Sequence, residues 1–285
     1  ALSSAASLLG PMIPPSITLI VYAGLTEASV QKLFLATLTP AILCTVAFLA
    51  YTLWYGKKKN LPKQPKKTAK EAGKIMLDAI WALLLPVIVL GLIFSGATTV
   101  TEAAAVSCLY SAVVSLFIYK TITFKDLLKI LGDSAVSIAA IMILVGMSKA
   151  TAYVVISSQM PQLFMDFITS ITDSRFVVLL IINVIFLILG CLMEGNCIIV
   201  MMVPLLLTLV KSFGIDLLQF GVMSAINIYI GCITPPVGVS LLLGCKLGKT
   251  SVGGTFKAIL PFFAISMVIL ILVTYWPSFT LWLIH

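Results

Sequence analysis

Two short segments carry the residue types that could do chemistry in an otherwise apolar chain. Gly10–Ser16 reads GPMIPPS and Gly231–Val237 reads GCITPPV, each a glycine followed by a Pro-Pro pair. They align at one constant offset, which also pairs Ser3 with Ser224. The match resumes one residue further on, pairing Ser29 with Ser251, Val30 with Val252 and Phe34 with Phe256. Proline lacks an amide hydrogen and pushes the preceding residue out of the helical region, so each segment interrupts a helix. In the second copy, the carbonyls of Gly231, Cys232, Ile233 and Thr234 are expected to lose their helical partners. Free carbonyls at a helix C-terminus suit Na⁺, and the N-terminus of the following half-helix suits a carboxylate.

A third polar point lies between them. The run 176–212 is mostly apolar and is interrupted at Gly190-Cys191-Leu192-Met193-Glu194-Gly195-Asn196. Two full crossings need about 40 residues plus a connector, so the run reads as a re-entrant hairpin of two half-length helices with a polar tip. Glu194 is an acid near mid-bilayer, costly there unless paired or facing water. Lys149, in VGMSKATAY, is a candidate counter-charge for an anionic substrate or for Glu194. Glu102 reads as a helix-start cap.

The elements holding these residues are membrane helices. The chain is 61% apolar and 10% charged, with mean hydropathy +1.17, whereas soluble domains carry about 25% charged residues. The excess positive charge is no nucleic-acid footprint. Most of it sits in one loop, Lys57, Lys58, Lys59, Lys63, Lys66, Lys67, Lys70 and Lys74, which the positive-inside rule places in the cytoplasm. Pro62 and Pro65 keep that loop from being helical. The six cysteines read as small core residues and the single histidine cannot complete a metal site. Without a histidine cluster or a Ser/His/Asp set the chain is not read as an enzyme.

Along the chain we expect a broken helix over 1–25, a span over 33–56 and an interfacial segment over 71–79. Spans over 80–95 and 98–119 follow, then an interfacial helix over 120–134 and a span over 135–158. The extramembrane stretch 159–175, the hairpin 176–213, a second broken helix 217–248 and a last span 255–284 complete it. With the lysine loop inside, Lys120, Lys125, Lys129, Lys246, Lys249 and Lys257 also fall inside, and Lys32, Arg175 and Lys211 outside. The two broken helices then run in opposite directions. The fold class is an all-α polytopic membrane protein with inverted repeats.

The segments GPMIPPSITLIVYAG, SGATTVTEAAAVSCLYSAVV, ILGCLMEGNCIIVMMVPLL and FGVMSAINIYIGCITPPVG, in this order, resemble the large membrane subunit of tripartite ATP-independent periplasmic (TRAP) transporters. The chain departs from that pattern at Val100, where Thr-Pro-Thr-Glu is common, and at Lys149, where small or apolar residues are usual. The resemblance implies an elevator-type transporter of the bacterial inner membrane that couples organic-acid uptake, of the C4-dicarboxylate or sialic acid kind, to Na⁺. It implies a small four-helix membrane subunit, separate or fused, a periplasmic substrate-binding protein, membrane lipid around it and no organic cofactor. On this reading the chain is the C-terminal portion of a longer protein, with a first hairpin upstream of Ala1.

By motif, the sodium ligands fall on Ser7, Gly10, Ile13 and Pro14 at the first break, Gly190 and Gly195 at the hairpin tip, and Gly231, Thr234 and Pro235 at the second break. Substrate falls on Ser16, Lys149, Glu194, Asn196 and Pro236. Residues 1–32 end the first repeat and 135–254 form the second, as parts of a moving domain. Residues 33–134 and 255–285 form the frame that holds it. The rival reading is a stand-alone dicarboxylate/Na⁺ symporter that needs no binding protein.

Overall fold

The structure, a computed structural model, describes residues 1–60 and 68–284. The expectation for Pro62 and Pro65, and with it Lys63, Lys66 and Lys67, lies outside the described residues. Every regular element among them is helical. In chain order these are α1 (Leu2–Ala6), α2 (Leu9–Met12), α3 (Ile17–Thr26), α4 (Val30–Lys58), α5 (Ala69–Phe94), α6 (Val100–Val113), α7 (Phe124–Ser157), α8 (Met160–Ile171), α9 (Arg175–Leu192), α10 (Gly195–Ser212), α11 (Leu217–Gly231), α12 (Val239–Gly248), α13 (Val252–Tyr275) and α14 (Pro277–Leu281). The described residues include 7 helical stretches long and apolar enough to cross a membrane.

Both predicted breaks are present. α2 and α3 are separated around Pro14-Pro15, and α11 and α12 around Pro235-Pro236; both Pro-Pro bonds are cis. Ile13 is extended, at ψ 125°, as a residue before proline must be. α4 and α13, which follow the two breaks, each carry an internal proline, Pro40 and Pro261, one residue out of the register of their matching starts.

Several boundaries differ from the sequence reading. The stretches 71–79 and 80–95 form one helix, α5, opened by a Thr68/Glu71 capping box. The stretches 120–134 and 135–158 are likewise one helix of 34 residues, α7. A change from charged to apolar composition does not by itself end a helix, and no proline stands at either junction, 79–80 or 134–135. The hairpin arms α9 and α10 have 18 residues each, about 27 Å long, so they are not the half-length helices expected. The last span stops at Tyr275 because Pro277 follows. Cys108 is exposed rather than a core residue.

The chain forms two compact units, Ala1–Tyr55 with Leu144–His285, and Gly56–Ile143. In the second unit, Tyr110 Oη donates to the Trp81 carbonyl (2.8 Å) and Tyr119 Oη to the Asp78 carbonyl (2.6 Å). Glu102 closes a capping box with Thr99, accepting from its amide at 2.7 Å, as expected. α6 ends in a π-helical turn, Val114–Ile118.

The first unit holds both broken helices and the hairpin. It also holds the greater part of α4 and all of α13, which the sequence reading placed in the frame. α11 is its axis, buried without interruption from Gln219 to Gly231 and in contact with α9, α13 and α3. Tyr22 on α3 donates to the Leu217 carbonyl at 2.6 Å. Lipid offers helices no hydrophobic drive to associate, so van der Waals packing and interhelical hydrogen bonds of this kind hold the unit together.

Candidate functional site

The second break is built on a close helix crossing. A methyl group on Gly231 would lie 2.4 Å from the Gly190 carbonyl carbon and 2.5 Å from its Cα. Only glycine allows α9 and α11 to approach so nearly, and this brings the hairpin tip onto the break. The chain between α11 and α12 is then tied to the tip. The amides of Val237 and Gly238 both donate to the Cys191 carbonyl, at 3.2 and 3.3 Å. Gly238 has a positive φ, +42°, and any side chain there would strike the Thr234 carbonyl.

The carbonyls therefore divide differently from the expectation. The Gly231 carbonyl accepts from the Thr234 amide at 2.9 Å, and the Cys232 carbonyl accepts from the amides of Ser240 (3.0 Å) and Leu241 (3.3 Å). Gly231 finds its partner in a tight turn ahead of the prolines, and Cys232 finds its two because the chain turns back after them. Among the described residues no hydrogen bond reaches the carbonyls of Ile233 and Thr234. The Thr234 hydroxyl donates to the Ile230 carbonyl at 2.7 Å. Pro235 is half-buried and Pro236 exposed.

The half-helix N-termini of this repeat are also taken. Four amides at the start of α12 are used by the carbonyls of Cys191 and Cys232. At the tip, Glu194 is the N-cap of α10, and its carboxylate accepts from the amides of Asn196 (3.0 Å) and Cys197 (3.2 Å). The side-chain amide of Asn196 donates to the same carboxylate at 2.9 Å. The expected anion seat at these two ends is thus filled from within. Glu194 is exposed, and it forms no ion pair with Lys149, which is itself exposed on α7. The expected pairing of these two is not formed. Gly195 is buried against the Ile228 side chain.

The first break is open by comparison. Among the described residues no hydrogen bond reaches the carbonyls of Gly10, Ile13 or Pro14. Gly10 has nothing within 4 Å of where a side chain would begin. Ser7 donates to the Ser4 carbonyl at 2.8 Å, Ile13 is exposed and Pro14 buried. At the start of α3 the first backbone acceptor in use is the Ser16 carbonyl, reached by the Ile20 amide. The amides of Ile17, Thr18 and Leu19 are the orphan donors of a helix start.

Two side-chain contacts join this start to the other repeat. Ser16, 1% exposed, shares a hydrogen bond of 2.8 Å with the hydroxyl of Tyr229 on α11. The Thr18 hydroxyl donates to Asn196 Oδ1 at 3.3 Å. A continuous chain of polar groups therefore runs from Glu194 through Asn196 and Thr18 to the α3 N-terminus, with Ser16 and Tyr229 beside it. The structure brings together Ser16, Glu194 and Asn196 of the expected substrate residues and leaves Lys149 outside this chain. Thr18 and Tyr229 were not singled out from the sequence. Their signal was polarity inside apolar stretches.

Helices interrupted by paired prolines, a capped polar tip laid on one break and main-chain oxygens left without donors are the build of a membrane transport protein. The chain belongs to the family of the tripartite ATP-independent periplasmic transporter DctM component, whose model matches residues 1–279. It is 34% identical over 280 residues to the sialic acid TRAP transporter large permease protein SiaM of Vibrio cholerae, covering 98% of this chain and 66% of that one. It is 37% identical over 276 residues to the C4-dicarboxylate TRAP transporter large permease protein DctM of Pseudomonas aeruginosa, covering 97% and 65%. Over 279 residues it is 32% identical to the isethionate TRAP transporter permease protein DctMQ of Oleidesulfovibrio alaskensis, covering 98% and 44%. The chain thus spans about two thirds of the length of SiaM and DctM. These relatives are permease subunits and not enzymes.

Proposed function

We propose that the protein carries an organic acid across the bacterial inner membrane together with Na⁺, receiving it from a periplasmic binding protein and working with a small membrane subunit. The observation that carries this reading is the pair of proline breaks meeting one hairpin tip. At each break carbonyl oxygens lack donors, Ile233 and Thr234 on one side and Gly10, Ile13 and Pro14 on the other. Sodium fits there as the transported ion. The relatives' names supply the substrate class, organic acids: sialic acid and C4-dicarboxylates carry carboxylates and isethionate a sulfonate, and the carboxylate is the group proposed for this chain.

The substrate carboxylate seats at the start of α3, because the α10 and α12 starts are already filled. Ser16, Thr18 and Asn196 border that place and Tyr229 backs it. Sodium on the breaks fixes the tip, so ion and substrate share one coupling free energy. The moving body of the elevator is the first compact unit, α4 and α13 included, since both lie in the unit that holds the breaks and the tip. The second unit belongs to the frame.

The test is uptake of radiolabelled sialic acid and of succinate into proteoliposomes holding the full-length protein, the small subunit and the binding protein. A sodium gradient drives accumulation on this reading. Equal uptake in sodium and choline media contradicts it.

A further inference from the structure

We propose that Asn183 and Asn227 are positioning residues that fix the register of the hairpin arm α9 on the broken helix α11, and so hold the tip over the second break. This rests on the reading that tip and break form the ion site. Asn227 Nδ2 donates to Asn183 Oδ1, and Asn183 Nδ2 donates to the Thr274 hydroxyl on α13 at 3.0 Å. The Thr274 hydroxyl in turn donates to the Leu270 carbonyl at 2.7 Å. Asn227 is 0% exposed and Asn183 9%. The pair lies inside helices that are predominantly apolar.

A second anchor runs alongside. Pro277 has no amide hydrogen, so the Val273 carbonyl has no helical donor. Gln219 on α11 supplies one, its Nε2 donating to the carbonyls of Val273 (3.0 Å) and Thr274 (2.7 Å). α9 and α11 are thus both pinned to the same turn of α13.

The pins are needed because of what holds α9 to α11 nearer the tip. There the contact is Gly190 against Gly231, which permits close approach but is smooth, and lipid gives no preference for one register over another. A buried asparagine pair does give one: a slip of one residue, about 1.5 Å, takes Asn183 Oδ1 from its donor in a medium that cannot replace it. Asn227 Nδ2 then keeps only the Met223 carbonyl of its own helix, at 3.2 Å. Asn227 lies one turn before Gly231 and Asn183 two turns before Gly190, so the register set at the asparagines is passed to the break along stiff helix. The two hydrogen bonds from Val237 and Gly238 to the Cys191 carbonyl are where that register is felt.

The inference separates from a plain folding role. Replacing both partners by apolar groups of similar size is close to neutral for stability, whereas removing one leaves the other unsatisfied. The experiment compares the full-length native protein with Asn183→Leu/Asn227→Leu by hydrogen exchange, following the amides of Val237 and Gly238. The double variant is expected to keep its thermal midpoint and its protection along α11, while exchange at Val237 and Gly238 rises about tenfold, as loss of one interhelical hydrogen bond allows. Its half-saturating Na⁺ concentration rises with it. Unchanged exchange at these two amides overturns the inference, and so does a double variant that loses its fold. A native protein indifferent to Na⁺ refutes the transport reading alone, because the exchange measurement needs no sodium response.

Discussion

Gly231→Ala is the substitution the site should tolerate least. Its methyl group would sit 2.4 Å from the Gly190 carbonyl carbon, 2.5 Å from the Gly190 Cα and 2.8 Å from its oxygen. All three are backbone atoms, so no side chain can swing aside. Ordinary carbon contacts begin at about 3.4 Å, so α9 and α11 must part by about 1 Å, against packing density that leaves no slack. Overpacking of this kind costs about 1–3 kcal/mol. If the strain is taken up by lifting the tip off the break, the half-saturating Na⁺ concentration rises about 5- to 150-fold, at 1.4 kcal/mol per decade. Gly190→Ala is milder, with its nearest atoms at 3.2 and 3.3 Å. Gly24→Ala is the control. It lies inside α3 with nothing within 4 Å, and alanine there stabilises the helix by about 0.5–1 kcal/mol. Thermal unfolding followed by tryptophan fluorescence, with Na⁺ titrations on each purified variant, gives the ordering. A Gly231→Ala protein with the native midpoint and the native Na⁺ response would show that the tight crossing is not what seats the tip.

Three further outcomes follow from the same geometry. Glu194→Ala removes the α10 cap and costs about 1 kcal/mol, with faster exchange at the amides of Asn196 and Cys197; Glu194→Asp restores part of both. Ser16→Ala and Tyr229→Phe, combined in a double-mutant cycle on substrate affinity, show a coupling of about 0.5–1.5 kcal/mol, the worth of one buried hydrogen bond; additive effects would mean that the pair does not border the substrate. Lys149→Ala changes stability by less than about 0.5 kcal/mol and leaves uptake intact, since Lys149 is exposed and forms no ion pair with Glu194; a loss of uptake would restore its reading as a counter-charge.

The breaks were legible in the sequence because their cause is local. Proline removes a donor wherever it stands, and a duplicated Gly-x-x-x-Pro-Pro needs no tertiary knowledge to be seen. The Glu102 cap was readable for the same reason, since its partner Thr99 is three residues away. The fate of the freed groups was not. Cys232 recovers its partners only after the chain has doubled back to Ser240 and Leu241, and the amides of Val237 and Gly238 find theirs on a hairpin far upstream, at Cys191. Searching the spans for charges drew attention to Lys149 and passed over Asn183, Asn227 and Gln219. Neutral amides cost less than a charge in lipid, yet here they make the interhelical bonds, while the lysine on α7 stays exposed. The grouping of α4 and α13 with the breaks and the hairpin was not legible either, because α13 is tied to α9 and α11 by tertiary contacts of Thr274 and Gln219.

The claim on which the rest depends is that main-chain oxygens at the two breaks hold sodium. Direct binding of ²²Na⁺ to the purified full-length protein tests it without any assumption about substrate. Saturable binding that excess potassium does not displace, and that Gly231→Ala weakens, is the predicted result. Absence of saturable ²²Na⁺ binding, or binding equal in the native protein and in Gly231→Ala, would contradict it.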